Sequence, residues 1–148
     1  IVRADSGFAR DTIMAWCGAI RVDFLLGLAR NSRLLGMIAE PLAAAAAESG
    51  ESGKPARRYA EFAYATRDSW SRERRVIAKA EQTGDRSNPR FVVTTLGGEA
   101  RQLYEDVYCA RGEMENRIKE CQLDLFADRA SAATMRANQL RLWFAAMA

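Results

Sequence analysis

The run Val22-Asp23-Phe24-Leu25-Leu26-Gly27-Leu28-Ala29 sets the tightest limit on the fold. It is nearly continuous in apolar side chains, the pattern of a strand buried on both faces. The opening Ile1-Val2-Arg3-Ala4 predicts another strand over about residues 1–5, and Asp11 is placed to cap a helix over about 12–19. This strand–helix–strand opening predicts an α/β domain around a buried, mostly parallel sheet. Asn31 should cap the next helix, and Pro41 should kink or restart it ahead of the alanine run at 43–47. Residues 49–55 read as a polar linker.

The middle of the chain has a different rhythm. Strands are predicted over 57–65, 73–81 and 90–96, with turns at Asp68-Ser69 and over 84–89. A long helix should cover about 98–122, and Asp128 or Ser131 should cap a last helix. Three blocks result: 1–56 (strand, helix, strand, helix, linker), a β-rich block at 57–96, and the helices of 97–148. At 148 residues they are expected to form one domain. The chain opens inside a strand-like run and closes on an apolar helical stretch without a stop signal, so a domain truncated at both ends is expected. Trp16 and Trp143 fall on apolar helix faces and should be core. Trp70 sits in a polar turn, where it either packs on its own hairpin or stacks on an unpaired base.

Histidine is absent, which excludes a Ser-His-Asp triad, a Cys-His pair and a His-bound zinc site. Three separated cysteines fit a reducing, cytoplasmic compartment and no Cys-based metal site. No apolar run approaches bilayer length. Of the 22 basic residues 19 are Arg, the cation that pairs bidentately with phosphate; a genomic base-composition bias gives the same excess. Residues 57–90 carry a net charge of +4, with Arg72, Arg74 and Arg75 at their centre. Such a block reads either as a nucleic-acid surface or as a solvated sheet face.

Two places could carry chemistry. In Arg3-Ala4-Asp5-Ser6-Gly7-Phe8 a carboxylate ends a strand at the edge where α/β sheets hold their ligands, and it could hold a divalent metal. A loop Asp of this kind also makes local hydrogen bonds to backbone amides. In the second place, Leu103, Val107, Ala110, Met114, Ile118, Cys121 and Leu125 form an apolar helical stripe. Tyr108, Arg111, Glu115, Lys119 and Gln122 form a polar stripe beside it. Glu115 therefore lies at the core's edge, with Arg111 and Lys119 a turn to either side; i,i+4 ion pairs would use the same spacing. Gly112 inside this helix implies a close approach.

Tyr108-x-x-Arg111-x-x-x-Glu115 with a following Lys resembles the signature of bacterial insertion-sequence DDE transposases, group-one type. Ala4-Asp5-Ser6-Gly7-Phe8 resembles their second-aspartate motif. The resemblance implies the C-terminal part of the catalytic domain: a partial RNase H-like α/β fold, with a β-rich insertion at 57–96 before the glutamate-bearing helix. It implies that Asp5 and Glu115 are two of three carboxylates binding two Mg²⁺ ions (Mn²⁺ substituting). Tyr108, Arg111 and Lys119 would contact phosphates of double-stranded DNA, at transposon ends and target. The family spacing puts its Lys at Gln122, one turn beyond Lys119, and the first aspartate has no counterpart here, so the chain alone is expected to be inactive. A homodimer in the full-length protein and a nucleoid location are also implied. Carboxylates suit this chemistry because Mg²⁺ is a hard cation, and a metal pair about 3.5–4 Å apart stabilises both attacking and leaving oxygens. Competing readings are another RNase H-like nuclease or resolvase, a non-catalytic basic nucleic-acid-binding module, and a non-functional remnant.

Overall fold

The computed structural model describes residues 1–111, 116, 119 and 133–147. The chain forms two compact units, Ile1–Cys109 and Ala110–Ala148.

The first unit is built on one mixed sheet. Its elements are β1 (Val2–Ala4), α1 (Asp11–Ala19), β2 (Phe24–Leu28), α2 (Ser32–Met37), α3 (Ala39–Ser52), β3 (Ala56–Tyr64), β4 (Arg74–Thr83), β5 (Arg86–Ser87), β6 (Arg90–Thr94) and α4 (Ala100–Gln102). The strand order is β1-β2-β6-β4-β3, with β5 beside β4. Only β1 and β2 run parallel; the other pairs are antiparallel, against the mostly parallel sheet expected. The reason is the β2–β6 pairing, Leu25 opposite Thr94 and Leu28 opposite Phe91, which joins the middle strands to the opening pair. Strands 56–94 therefore extend the same sheet.

β2 is buried on both faces, as its apolar run predicts. Phe24 and Leu26 pack with Met14, Cys17, Leu34, Ile38, Val76, Ala78 and Val93 on the first face. Leu25 packs with Ile77, Val92, Leu103 and Tyr104 on the second. The alternation along β4 and β6 follows from the two-residue period of a strand. Helix signals also hold. The Asn31 side chain accepts from the Leu34 amide at 3.0 Å and starts α2. The helix breaks at Ile38 and restarts with Pro41 in the first turn of α3, where a missing N–H costs nothing. α3 runs on through the predicted linker to Ser52 and stops at Gly53, whose φ of +65° suits glycine.

Three expectations fail for packing reasons. Arg10, not Asp11, is the N-cap of α1, and Asp11 instead pairs with Arg74. Trp16 is 59% exposed, because α1 turns Met14 and Cys17 inward and leaves Trp16 on the far side. Trp143 is equally exposed. Trp70 packs edge-on against Tyr64, ring centres 5.7 Å apart, on its own hairpin.

The long helix begins as α4 but widens into a π turn at Leu103–Tyr108 and tightens into a 3₁₀ turn at Cys109–Arg111. In the second unit, α5 (Met135–Met147) starts where the Ala137 amide meets the Thr134 hydroxyl at 3.3 Å. The predicted caps Asp128 and Ser131 lie outside the described residues. No helix among the described residues is long and apolar enough to cross a membrane.

Candidate active site

Asp5 follows the last residue of β1. Its Oδ1 accepts the Gly7 amide at 3.0 Å and so starts the 3₁₀ turn Ser6–Phe8. The local hydrogen bond of a strand-end Asp is thus present, and the residue remains exposed at the sheet's edge. Beside it, β2 offers Gly27. A Cβ there would lie 2.6 Å from the Tyr108 hydroxyl, 3.0 Å from the Ser6 amide nitrogen and 3.2 Å from the Asp5 carbonyl carbon. No side chain fits such a gap. The glycine lets Tyr108 settle against the backbone that carries Asp5.

The π turn is tied to β1 directly. Arg3 points to the second face, where its Nη1 donates to the Val107 carbonyl at 2.7 Å. Single π turns are rare and favour functional sites. Tyr104 and Tyr108 lie 5.5 Å apart, and Tyr59 lies 5.8 Å from Tyr104. Burial raises the Tyr104 hydroxyl pKa; burial and the Glu105 hydrogen bond raise that of Tyr59. Both phenols therefore stay protonated and form a wall rather than bases.

Together these elements bound a cleft of about 510 Å³, whose polar lining includes Asp5, Ser6, Arg30, Asn88, Arg90 and Tyr108. That volume falls within the roughly 300–1,000 Å³ of ordinary ligand sites. Among the described lining residues Asp5 is the carboxylate. An accessible oxygen donor at a strand end fits a hard divalent cation. Among the described residues no group of three or more Asp, Glu, Cys or His gathers.

The remaining sequence candidates divide. Glu115 lies outside the described residues. The Arg111 backbone closes the 3₁₀ turn, and Lys119 is helical and exposed in the second unit. Arg74 is not a surface contact. It is buried, its Nη2 donates to Asp11 at 2.8 Å, and its guanidinium lies 5.9 Å from the Phe24 ring centre. That hydrogen bond lowers the Asp11 pKa. Arg75 braces the 96–98 loop by donating to the carbonyls of Leu96 at 2.6 Å and Gly98 at 2.7 Å, and it pairs with Glu61. Arg72 stays exposed beside Gly18. Arg57 and Lys79 share Glu81 within the block, while Arg58 and Arg74 pair with Glu48 and Asp11 outside it and so offset two of its four net positive charges.

Sequence reasoning gave no role to Gly27 or Arg3, and it took Arg90 only as part of the basic 57–90 block. A glycine inside a buried strand run was the available signal for close backbone approach. Arg90 was visible in sequence only as one charge of the 57–90 block, because only strand pairing brings it to the cleft.

The fold and cleft define an α/β domain that presents a strand-end carboxylate beside cationic and aromatic side chains. The sequence profile of the family described as transposase DDE domain, group 1, matches residues 1–148, and the chain belongs to that family. No match is found among curated proteins or solved structures.

Proposed function

We propose that this chain supplies part of the catalytic site for divalent-metal-dependent DNA strand cleavage and transfer in the transposition of a bacterial insertion sequence. β1 and β2 are read as later strands of an RNase H-like core, and the strands of 57–96 as the family's β-rich insertion carried on the same sheet. The observation that carries the reading is Asp5, held at the end of β1 in a cleft with Tyr108 seated over Gly27.

Asp5 and Glu115 are the proposed ligands of Mg²⁺, with Mn²⁺ as substitute. Bound divalent metal would polarise the phosphate and stabilise attacking and leaving oxygens. Tyr108, Arg111 and Lys119 would hold backbone phosphates without reading sequence. Arg72 remains a candidate for contact with flanking duplex, whereas Arg74 and Arg75 act structurally. With two of the three family carboxylates in these 148 residues, cleavage by this chain alone is expected to be slight. The proposed setting is a homodimer on paired DNA ends at the nucleoid.

Mn²⁺ binding, followed by water proton relaxation, tests this. Asp5→Asn and Glu115→Gln should each weaken binding by about tenfold or more, in the range seen when metal-site groups are lost. Unchanged binding in both folded variants overturns the reading.

A further inference from the structure

The cleft has a cationic side that the proposed chemistry does not yet use. β4, β5 and β6 form a hairpin around the two-residue turn Gly84-Asp85, with Gly84 at φ +55° as such turns need. Pro89 has no N–H to give the ladder, so β5 and β6 are separated at Asn88-Pro89. What holds the interrupted segment is Glu81. The Asn88 amide donates to the Glu81 carbonyl at 2.8 Å, and Asn88 Nδ2 donates to Glu81 Oε2 at 2.9 Å. Lys79 Nζ reaches the same oxygen at 2.8 Å, and Arg57 Nε reaches Oε1 at 2.6 Å. Glu81 is buried. The segment it fixes delivers Asn88 and Arg90 to the cleft that also contains Asp5.

Arg90 lies directly opposite Lys79 in the strand register. Like charges so placed repel. Lys79 shares the single Glu81 carboxylate with Arg57, which leaves that cluster one net positive charge, and its ammonium lies 5.5 Å from the Tyr104 ring centre. Among the described residues no ion pair engages Arg90. An anion in the cleft would relieve that repulsion, and a guanidinium suits a phosphate with its two-pronged geometry.

We infer that Arg90 binds a backbone phosphate of DNA in the Asp5 cleft, and that Glu81, acting through Asn88, is the positioning residue that holds Arg90 there. The inference rests on the proposed DNA-processing function, since it names a further contact of that same cleft.

The test is fluorescence anisotropy of the full chain with a labelled DNA duplex over a salt series. Losing one phosphate contact should reduce the salt slope by about 0.9 and weaken binding alike across sequences. Arg90→Gln should show both effects, and Arg90→Lys should keep the slope. Arg58→Gln, which breaks a pair with Glu48 on the opposite face, should change neither. Glu81→Gln should mimic Arg90→Gln, and the double variant should be no worse than Arg90→Gln alone, which a merely structural role would not produce. If Glu81→Gln does not fold, Asn88→Ala removes the tether and leaves the Lys79 and Arg57 pairs.

An unchanged slope and affinity in folded Arg90→Gln overturns the inference, as does a wild-type chain that binds no DNA. An additive double variant overturns the role of Glu81. The metal reading fails separately: Mn²⁺ binding indifferent to Asp5→Asn sinks it while an altered Arg90→Gln slope still stands.

Discussion

At the scale of single residues, Gly27 is the most constrained position of the cleft. Its missing Cβ is what lets the Tyr108 hydroxyl and the Asp5–Ser6 backbone approach β2. In Gly27→Ala the phenol can swing away, but the Ser6 amide is main chain and yields little. The substitution is expected to destabilise by about 1–3 kcal/mol, as overpacking does, read as a shift in urea midpoint. It should also lower Mn²⁺ affinity, because the Asp5 turn must move. Full stability with unchanged Mn²⁺ binding would show that the close approach does not matter. Arg74 and Arg75 carry the opposite lesson. Both looked like surface cations in sequence, yet one is buried against Asp11 and Phe24 and the other braces a loop.

At the scale of elements, the β4–β6 hairpin contains the most strongly shifted carboxylate. Burial opposes ionisation of Glu81, but hydrogen bonds from Lys79 and Arg57 overcome it and bring the pKa from 4.5 down to about 2. A depressed folded-state pKa stabilises the protein above the unfolded value and loses that contribution as pH falls. The hairpin should therefore be firm above about pH 4.5 and weaken progressively toward pH 2. Glu81→Gln is expected to cost about 1–3 kcal/mol at neutral pH, the penalty for a weakened buried network. It should also flatten the acid limb of a plot of thermal midpoint against pH; an acid limb as steep as the wild type's would count against this origin.

Elements with local signals were legible in sequence. β1, α1, β2 and the Asn31 cap each follow from a few neighbouring residues, and the place of Asp5 between a strand and a turn was legible because a strand, a carboxylate and a glycine adjoin. The π turn was not legible, since the apolar stripe over 103–125 fits a regular helix and only the Arg3 bond and the Tyr108 contact mark the wider turn. The β2–β6 pairing was equally hidden, because it joins residues 63 to 69 positions apart with no local imprint.

At the scale of the whole molecule, the sheet of the first unit separates two unlike faces of that unit. The first carries α1, α2 and α3 over a large apolar core; the second carries the π turn, the tyrosine wall and the charged hairpin. The cleft lies where the second face reaches the end of β1. That strand has three residues, stands at one end of the strand order and pairs only with β2 among the described strands. Amides protected by so short a ladder should exchange through sub-global opening rather than complete unfolding. Hydrogen–deuterium exchange should find β1 faster than β2, β4 and β6 by orders of magnitude, and equal protection would contradict this. The carboxylate thus rides on a three-residue strand, less durable than the central strands beside it. Its working geometry has a lifetime of its own, shorter than that of the native state, and whatever lengthens that lifetime strengthens the site without adding a contact to it.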